Sequence, residues 1–317
     1  MNMRSIFNNF KVAVCIITFN RPSGLERLLI SLQELHFLHM KEPNWKIIIV
    51  DNDPTMPNQS LIDSFRKIFN VPIYYEKEKT RGIASARNRC VELAVDVDFI
   101  AFVDDDETVS STWLDELLLT QTTYNADVVL GPVIINFEEP PPAWFIRGKF
   151  LEREKHATGD ELVIANTGNV LIKKKWLTMI AGPFNEKLNL SGAEDSLFFR
   201  QIYQLGAKII WSNEASIIEI YPPERTTIRY LTKRKFRIGN TRTQINILLD
   251  TSWKTLIFRV VLWGFQIFKS LLLLVPMLIK DGFVGFLKVW FNFCEGLGGL
   301  LGMLGIRYKI YNRVKDE

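Results

Sequence analysis

A chain of 317 residues with 23% charged and 47% apolar side chains can bury a core of one large domain or two smaller ones, which excludes a disordered tail. Its formal charge of +4 is unevenly spread: residues 224–242, ERTTIRYLTKRKFRIGNTR, are strongly basic while acidic residues cluster earlier, a pattern that favours a local anionic partner over nucleic acid. Cys15, Cys90 and Cys294 lie far apart with no C-x-x-C pair, which argues against a disulfide scaffold or zinc site and for a reducing, cytoplasmic compartment.

The first apolar run, VAVCIITF, follows Arg4 and Lys11 as a signal peptide's core would, but NRPSG stands where small cleavage-site residues would be expected. The β-branched run suits a buried strand better. Two more such runs follow, WKIIIVDND and DFIAFVDDD. All three read as strands buried on both faces of a parallel sheet. Between them SGLERLLISLQEL, with Ser23 as its cap, and GIASARNRCVELAV, after Gly82, have the spacing of amphipathic helices. The order strand, helix, strand, helix, strand predicts an α/β, doubly wound unit. In such a sheet the strand ends form one rim where ligands bind, and Thr18, Asn20, Asp51 and the carboxylates after residue 103 all fall there. P-loop and dinucleotide fingerprints are missing from the sequence.

Residues 138–150, EEPPPAWFIRGKF, read as a proline-rich lid or binding loop carrying an exposed aromatic. NTGNVLIKKKWL restores a strand signal, and EDSLFFRQIYQLGAKIIW reads as a helix ended by Gly206 and followed by a strand. The α/β domain is expected to span residues 1–222, with a basic helical connector over 223–250 in which Arg225, Arg229, Lys233 and Arg237 form one stripe. That stripe suits a donor diphosphate, a lipid-linked pyrophosphate, an anionic leaflet or plain solvent. Residues 251–317 form a hydrophobic helical region in which Lys254, Arg259, Gln266, Lys269 and Lys280 fall within roughly 140° on a helical wheel. A basic stripe on so apolar a helix favours lying in the membrane interface over spanning it or forming a soluble core, and Pro276 argues against one continuous helix.

The acidic run itself, FIAFVDDDET, places Asp104 and Asp106 on one face of extended chain and Asp105 on the other. Two carboxylates at the mouth of a crevice suit a hard cation such as Mn²⁺ or Mg²⁺ that bridges to phosphate oxygens. A plain alternative is a solvated turn beside the N-terminus of a helix beginning in TVSSTWLDELL.

In order along the chain, CIITFNRP, IIIVDND, TRGIASARN, the D-x-D of VDDDE, NTGNVLIKKKWL and GPFNEKLNLSGAEDSLFFRQIYQLG resemble the motifs of the family 2 glycosyltransferases over roughly residues 10–240. The resemblance implies an inverting enzyme of GT-A fold, Rossmann-like with a mostly parallel central sheet. It would move one sugar from a nucleotide-diphospho-sugar, most often a UDP-sugar, to a glycan or polyprenyl-diphosphate-linked acceptor in surface-polysaccharide synthesis. The expected place is the cytoplasmic face of the cell membrane, as a peripheral or monotopic protein.

Carried over by position, the resemblance implies that Thr18, Asn20 and Asp51 hold the nucleoside, with Arg81 and Gly82 beside them. Asp104 would face ribose or metal, Asp106 would be the preferred metal ligand, and Asp195 would be the general base with Glu194 positioning the acceptor or the base. The family's late histidine is missing from SIIEIYPPERTT, which leaves two alternatives, Glu219 as the stand-in or a metal held by the D-x-D segment and ligand alone, and the Q-x-x-R-W of processive relatives is also missing. Two rival readings are a haloacid-dehalogenase-like phosphatase, through the D-x-D-x-T of Asp104, Asp106 and Thr108, and a non-catalytic membrane scaffold that kept a nucleotide fold.

Overall fold

The structure is a computed structural model that describes residues 9–53, 55–152 and 154–309; Arg4 and the last eight residues of the expected 251–317 region lie outside these. In chain order the elements begin β1 (Lys11–Thr18), α1 (Pro22–Gln33), β2 (Asn44–Asp51), α2 (Gln59–Phe65), β3 (Ile73–Lys77), α3 (Ile83–Leu93) and β4 (Phe99–Val103). They continue with β5 (Glu107–Val109), α4 (Trp113–Tyr124), β6 (Val128–Leu130), β7 (Val133–Phe137), α5 (Ala143–Gly148) and β8 (Glu161–Leu162). The remainder is β9 (Asn169–Lys173), α6 (Lys174–Met179), α7 (Glu194–Gln204), β10 (Ile209–Trp211), β11 (Ile217–Tyr221), α8 (Ile228–Leu249) and α9 (Trp253–Met303).

The main sheet runs β3-β2-β1-β4-β9-β6-β10-β8. Its first four strands are mutually parallel, and β9 enters antiparallel to both β4 and β6. Alternation along β1 explains the layers. Val12, Val14 and Ile16 pack with Leu25, Leu28 and Leu29 of α1 and Trp113 and Leu117 of α4, whereas Ala13 and Cys15 face Ala84 and Cys90 of α3 and Phe198 and Ile202 of α7. A second sheet of order β5-β11-β7 lies beyond the acidic run.

Several local expectations are corrected. Ser23 does not cap α1; the helix starts at Pro22, whose missing N–H costs nothing in the first turn. The strand β3 and the short α2 precede the acidic run although their apolar signal is brief. Strand β5 separates the carboxylates from α4, whose flanking residue is Thr112, so these carboxylates are not a helix N-terminus.

The chain divides into two compact units, residues 9–136 with 155–220 in one, and 137–154 with 221–309 in the other. The chain passes from one unit to the other at 220/221, and residues 137–154 group with the second unit. There the segment expected to be an exposed lid packs as an aromatic group: Phe145 is buried, and Trp144, Phe137 and Phe150 stack edge-on around it, with Phe150 also against Phe291.

Within the second unit α8 packs along the later part of α9. A Cβ on Gly298 would fall 2.0 Å from the carbonyl oxygen of Phe236, so the two backbones approach to a distance only glycine permits. Arg225 sits in a short 3-10 turn over the Tyr221 ring rather than on the α8 stripe, which begins at Arg229. The helix α9 continues through Pro276 and breaks instead at Gly282, whose φ of 58° is left-handed. Its first segment, residues 253–281, extends about 43 Å at 1.5 Å per residue, and its most apolar 18-residue window is only 22% buried.

Candidate active site

The parallel register sets the rim. Cys15 pairs with Phe102 and Ile17 with Val50, so the ends of β1, β2 and β4 arrive together. Thr18 and Asp105 then meet, with Thr18 Oγ1 donating to Asp105 Oδ2 at 2.8 Å. Arg21, the residue after the left-handed Asn20 (φ 50°) that begins to turn the chain, donates from one nitrogen to Asp105 at 3.1 Å and Asp106 at 2.9 Å. Burial pushes the Asp105 carboxyl up to about 7, Arg21 opposing and the neighbouring carboxylates adding to the rise.

Asp104 faces the other way. Its side chain is 40% exposed and lies 3.4 Å from the guanidinium of Arg87. Partial burial raises its pKa, Arg87 opposes the rise, and the charges of Asp106 and Asp195 add to it. Arg87 comes from α3, is almost wholly buried, and also bonds Glu194, a fully buried residue at the start of α7. Burial pushes Glu194 up to about 7 although Arg87 holds it down. Glu194 therefore orients Arg87 and does not itself reach solvent. Asp195, the next residue, is half-buried; its carboxylate accepts from the backbone N–H of Thr167 at 3.3 Å and of Ser196 at 2.6 Å.

One loop supports this arrangement from the α3 side. Asn52 accepts from the Gly82 N–H at 2.7 Å and donates to the carbonyls of Glu78 and Thr80. Gly82 has φ 144°, and a Cβ there would fall 2.2 Å from Asn189 Cγ. Asn189 takes the Ser85 N–H at 2.9 Å and so satisfies the first turn of α3 from outside the helix. Arg81 is exposed and lies over the Phe19 ring at 5.4 Å.

Asp51 closes β2 with no exposed surface. It accepts from Tyr75 Oη at 2.5 Å, Asn58 Nδ2 at 3.0 Å and the Asp53 N–H at 2.9 Å. Burial raises its pKa and these three donors lower it.

The residues suit a hard cation in part. Oxygens of Glu107, Asn166 and Asp104 lie 3.3, 3.6 and 3.6 Å from the point where a Cβ on Gly168 would be, so a side chain there would fill an oxygen-lined cradle. Glu107 is buried, accepts from the Asp104 N–H at 3.0 Å, and has its pKa raised well above the usual range by burial and then by Asp104. Glu219 stands opposite Glu107 in the β5–β11 ladder and adds to that repulsion. A cation would relieve the crowding. Among the described residues no three His, Cys, Asp or Glu side chains are arranged to hold a metal by themselves. Asp106 bonds Arg21, while Asp104 faces the cradle. Thr167 Oγ1 and Glu194 Oε2, from the residue that donates to Asp195 and from its chain neighbour, are buried without a hydrogen-bond partner, so the polar groups of this cluster are not closed on themselves.

A model of the family described as Glycosyl transferase family 2 matches residues 13–180. The chain belongs to glycosyl transferase family 2. This family 2 chain is 32% identical over 235 residues to the succinoglycan biosynthesis protein ExoM of Rhizobium meliloti, covering 74% of each chain. It is 23% identical over 248 residues to a glucosyl-dolichyl phosphate glucuronosyltransferase of Haloferax volcanii, covering 75% of this chain and 77% of that one. Among solved structures it resembles S. aureus TarS 1-349 (TM-score 0.51, 17% identity, 90% of each chain) and GalNAc-T7 with UDP, GalNAc and Mn²⁺ (TM-score 0.54, 14% identity). It covers 75% of its own length there and about half, 51%, of the GalNAc-T7 chain. These likenesses show the GT-A fold, and family membership removes the phosphatase reading of Asp104, Asp106 and Thr108.

Arg87, Arg21 and Asn189 carried no assigned role in the sequence. A signal existed for Arg87: Ser85, Arg87 and Asn88 sit among Ala84, Ala86, Cys90 and Val91 on a helix buried almost all round, and a charged residue at such a position requires an internal partner.

Proposed function

We propose that this family 2 protein is an inverting glycosyltransferase that moves one sugar from a nucleotide-diphospho-sugar, a UDP-sugar, to a glycan or polyprenyl-diphosphate-linked acceptor in surface-polysaccharide synthesis. The observation that carries the reading is Asp195, a half-buried carboxylate anchored by the Thr167 N–H and close enough to Asp104 to raise its pKa. That supports an acceptor side and a donor side facing one another. The role of ExoM in succinoglycan biosynthesis supports the process, and the UDP bound by TarS and GalNAc-T7 supports the donor class.

In this reading Asp195 takes the proton of the acceptor hydroxyl as its oxygen attacks the anomeric carbon. The bond to the diphosphate breaks, and the nucleoside diphosphate leaves with the electron pair. Arg87, fixed by Glu194, holds Asp104 in place. Thr18 and Asp105 fix the turn that presents Asn20, and Asn52 with Gly82 fixes the loop carrying Arg81 beside the nucleoside. Asp51 receives the base on exchange of Asn58 or Tyr75. A Mn²⁺ or Mg²⁺ ion held by Asp104 and Asp106 with the diphosphate oxygens would neutralise charge on the leaving group. Glu219 is close enough to modulate that charge.

Attachment to the cytoplasmic face of the membrane is proposed through the apolar side of α9, where Phe258, Phe265, Phe268, Leu272 and Val275 are each more than half exposed at helical spacing. The test of the catalytic reading is Asp195→Asn. It is expected to retain UDP-sugar binding and lose transfer by about 10²–10⁴-fold; near-normal transfer would remove Asp195 as the base.

A further inference from the structure

The second unit contains a cavity of about 470 Å³ between α8 and the two segments of α9, within the size range of small-ligand sites. Its walls carry Arg242, Arg259 and Lys269 against one carboxylate, Glu295. Glu295 is 9% exposed and is bonded by Arg242 at 3.1 Å and by Lys235, outside the cavity, also at 3.1 Å. Its charge is thus already matched. Arg259 and Lys269 have no carboxylate partner among the described residues, and the Nε of Arg259 is buried without a hydrogen bond. A buried guanidinium N–H left unbonded is costly, and a phosphate oxygen is the acceptor that best matches it.

The same cavity is also lined by hydrocarbon, interleaved with these cations along α9. Leu262, Phe265 and Leu273 line it and are 39%, 61% and 38% exposed, and they belong to the apolar side of α9 that runs from Ile257 to Ile279. A cationic recess that opens directly onto an apolar helix face matches an amphiphile with a phosphorylated head and a hydrocarbon tail. Free anions match only half of it.

We propose that this cavity binds the phosphate headgroup of a membrane lipid, with Arg259 and Lys269 as its principal contacts, Arg242 beside them, and the lipid chain lying along α9. Arg259, Gln266 and Lys269 of the basic stripe serve as a site, while Lys254 and Lys280 of the same stripe lie outside the cavity lining. The inference rests on the second unit alone and is independent of the transferase chemistry.

The test uses the full chain and vesicles of phosphatidylcholine alone, with phosphatidylglycerol, or with a long-chain polyprenyl phosphate. The double variant Arg259→Gln/Lys269→Gln is expected to lose affinity for vesicles of either anionic lipid by about 10- to 30-fold while binding neutral vesicles as the parent does. The double variant Lys254→Gln/Lys280→Gln removes the same charge from the same helix outside the cavity and is expected to lose less than about threefold. The single variant Lys269→Glu, at an exposed position, provides the same comparison with minimal risk to folding, checked by thermal melting. Preference for the polyprenyl phosphate or for phosphatidylglycerol identifies which lipid supplies the head. Equal losses in the two double variants would reduce the stripe to diffuse attraction and overturn the site. Occupancy by inorganic diphosphate, with no preference of the parent for either anionic lipid, would overturn the lipid assignment. Loss of binding to neutral vesicles in every variant would instead point to failure of membrane attachment as a whole, and would also overturn the proposal.

Discussion

Replacing Arg87 by Met tests the frame of the candidate site in a way that separates charge from shape. Arg87 is 3% exposed and Glu194 has no exposed surface, so the substitution leaves a carboxylate buried without its cation. Breaking such a pair costs about 3–5 kcal/mol, which for a domain of this size lowers the melting temperature by about 6–20 °C. The pH dependence gives the sign. Glu194 has its folded pKa raised to about 7 by burial even with Arg87 opposing, and its folded state therefore binds the proton more tightly than the unfolded chain. The resulting stability is fully present below the ordinary carboxylate pKa and is lost as pH rises through 7. Removing Arg87 raises the Glu194 pKa further. The variant should melt near the parent at pH 5 and show a deficit that opens as pH rises through 7, reaching about 1.4 kcal/mol at pH 8, with the full amount present only above the variant's own Glu194 pKa. The second variant, Arg87→Met/Glu194→Gln, removes the charge at an unchanged shape and should recover most of the loss at pH 8. Differential scanning fluorimetry across pH 5–8 measures both. A deficit independent of pH, or no recovery in the double variant, would refute the charge argument and leave only packing against Phe184.

Other outcomes follow from the same geometry. Gly82→Ala forces a Cβ onto Asn189 in a left-handed position and should reduce UDP-sugar affinity at least about tenfold by displacing the 78–82 loop, read by calorimetry. Asp106→Ala should abolish cation-dependent donor binding while leaving Arg21 paired with Asp105; unchanged donor affinity in Mn²⁺ would remove Asp106 as a metal ligand. The variant Phe258→Ser/Phe268→Ser/Leu272→Ser, all outside the cavity lining, should reduce sedimentation with neutral vesicles without changing UDP-sugar affinity. Truncation at residue 250 is a poorer test, because the packing of α8 along α9 would be exposed with it.

Much of the fold could be read from the chain because the long signals were regular. Strands β1, β2 and β4 are apolar runs buried on both faces, and the polar residues that end or follow them, Thr18, Asp51 and Asp104, marked the rim before any geometry was known. What escaped reading was short or set by distant partners. Strand β3 has only five residues with alternating burial, and a brief run of that kind is ambiguous. The break in α9 was expected at Pro276, but an apolar helix with its solvent side free tolerates proline, while the reversal at residue 282 required a left-handed φ that glycine supplies. The PPPAWF segment looked exposed because prolines usually mark loops; its aromatics found Phe291, some 140 residues away, which local pattern cannot reveal. In the candidate site the carboxylates were visible as a motif, whereas the cations that divide them, Arg21 toward Asp105 and Asp106, Arg87 toward Asp104 and Glu194, depend on which strand ends meet.

The central claim is that the rim of β1, β2 and β4 binds a nucleotide-diphospho-sugar and that Asp195 acts only afterwards, on the acceptor. Calorimetric titration of a panel of nucleotide-sugars, with Mn²⁺ or Mg²⁺ and with chelator, into the parent chain and Asp195→Asn tests it most directly. The account predicts one saturable donor site, cation-dependent and equal in affinity within about threefold between the two proteins. Binding of no nucleotide-sugar by the parent, or loss of donor binding in Asp195→Asn, would contradict it.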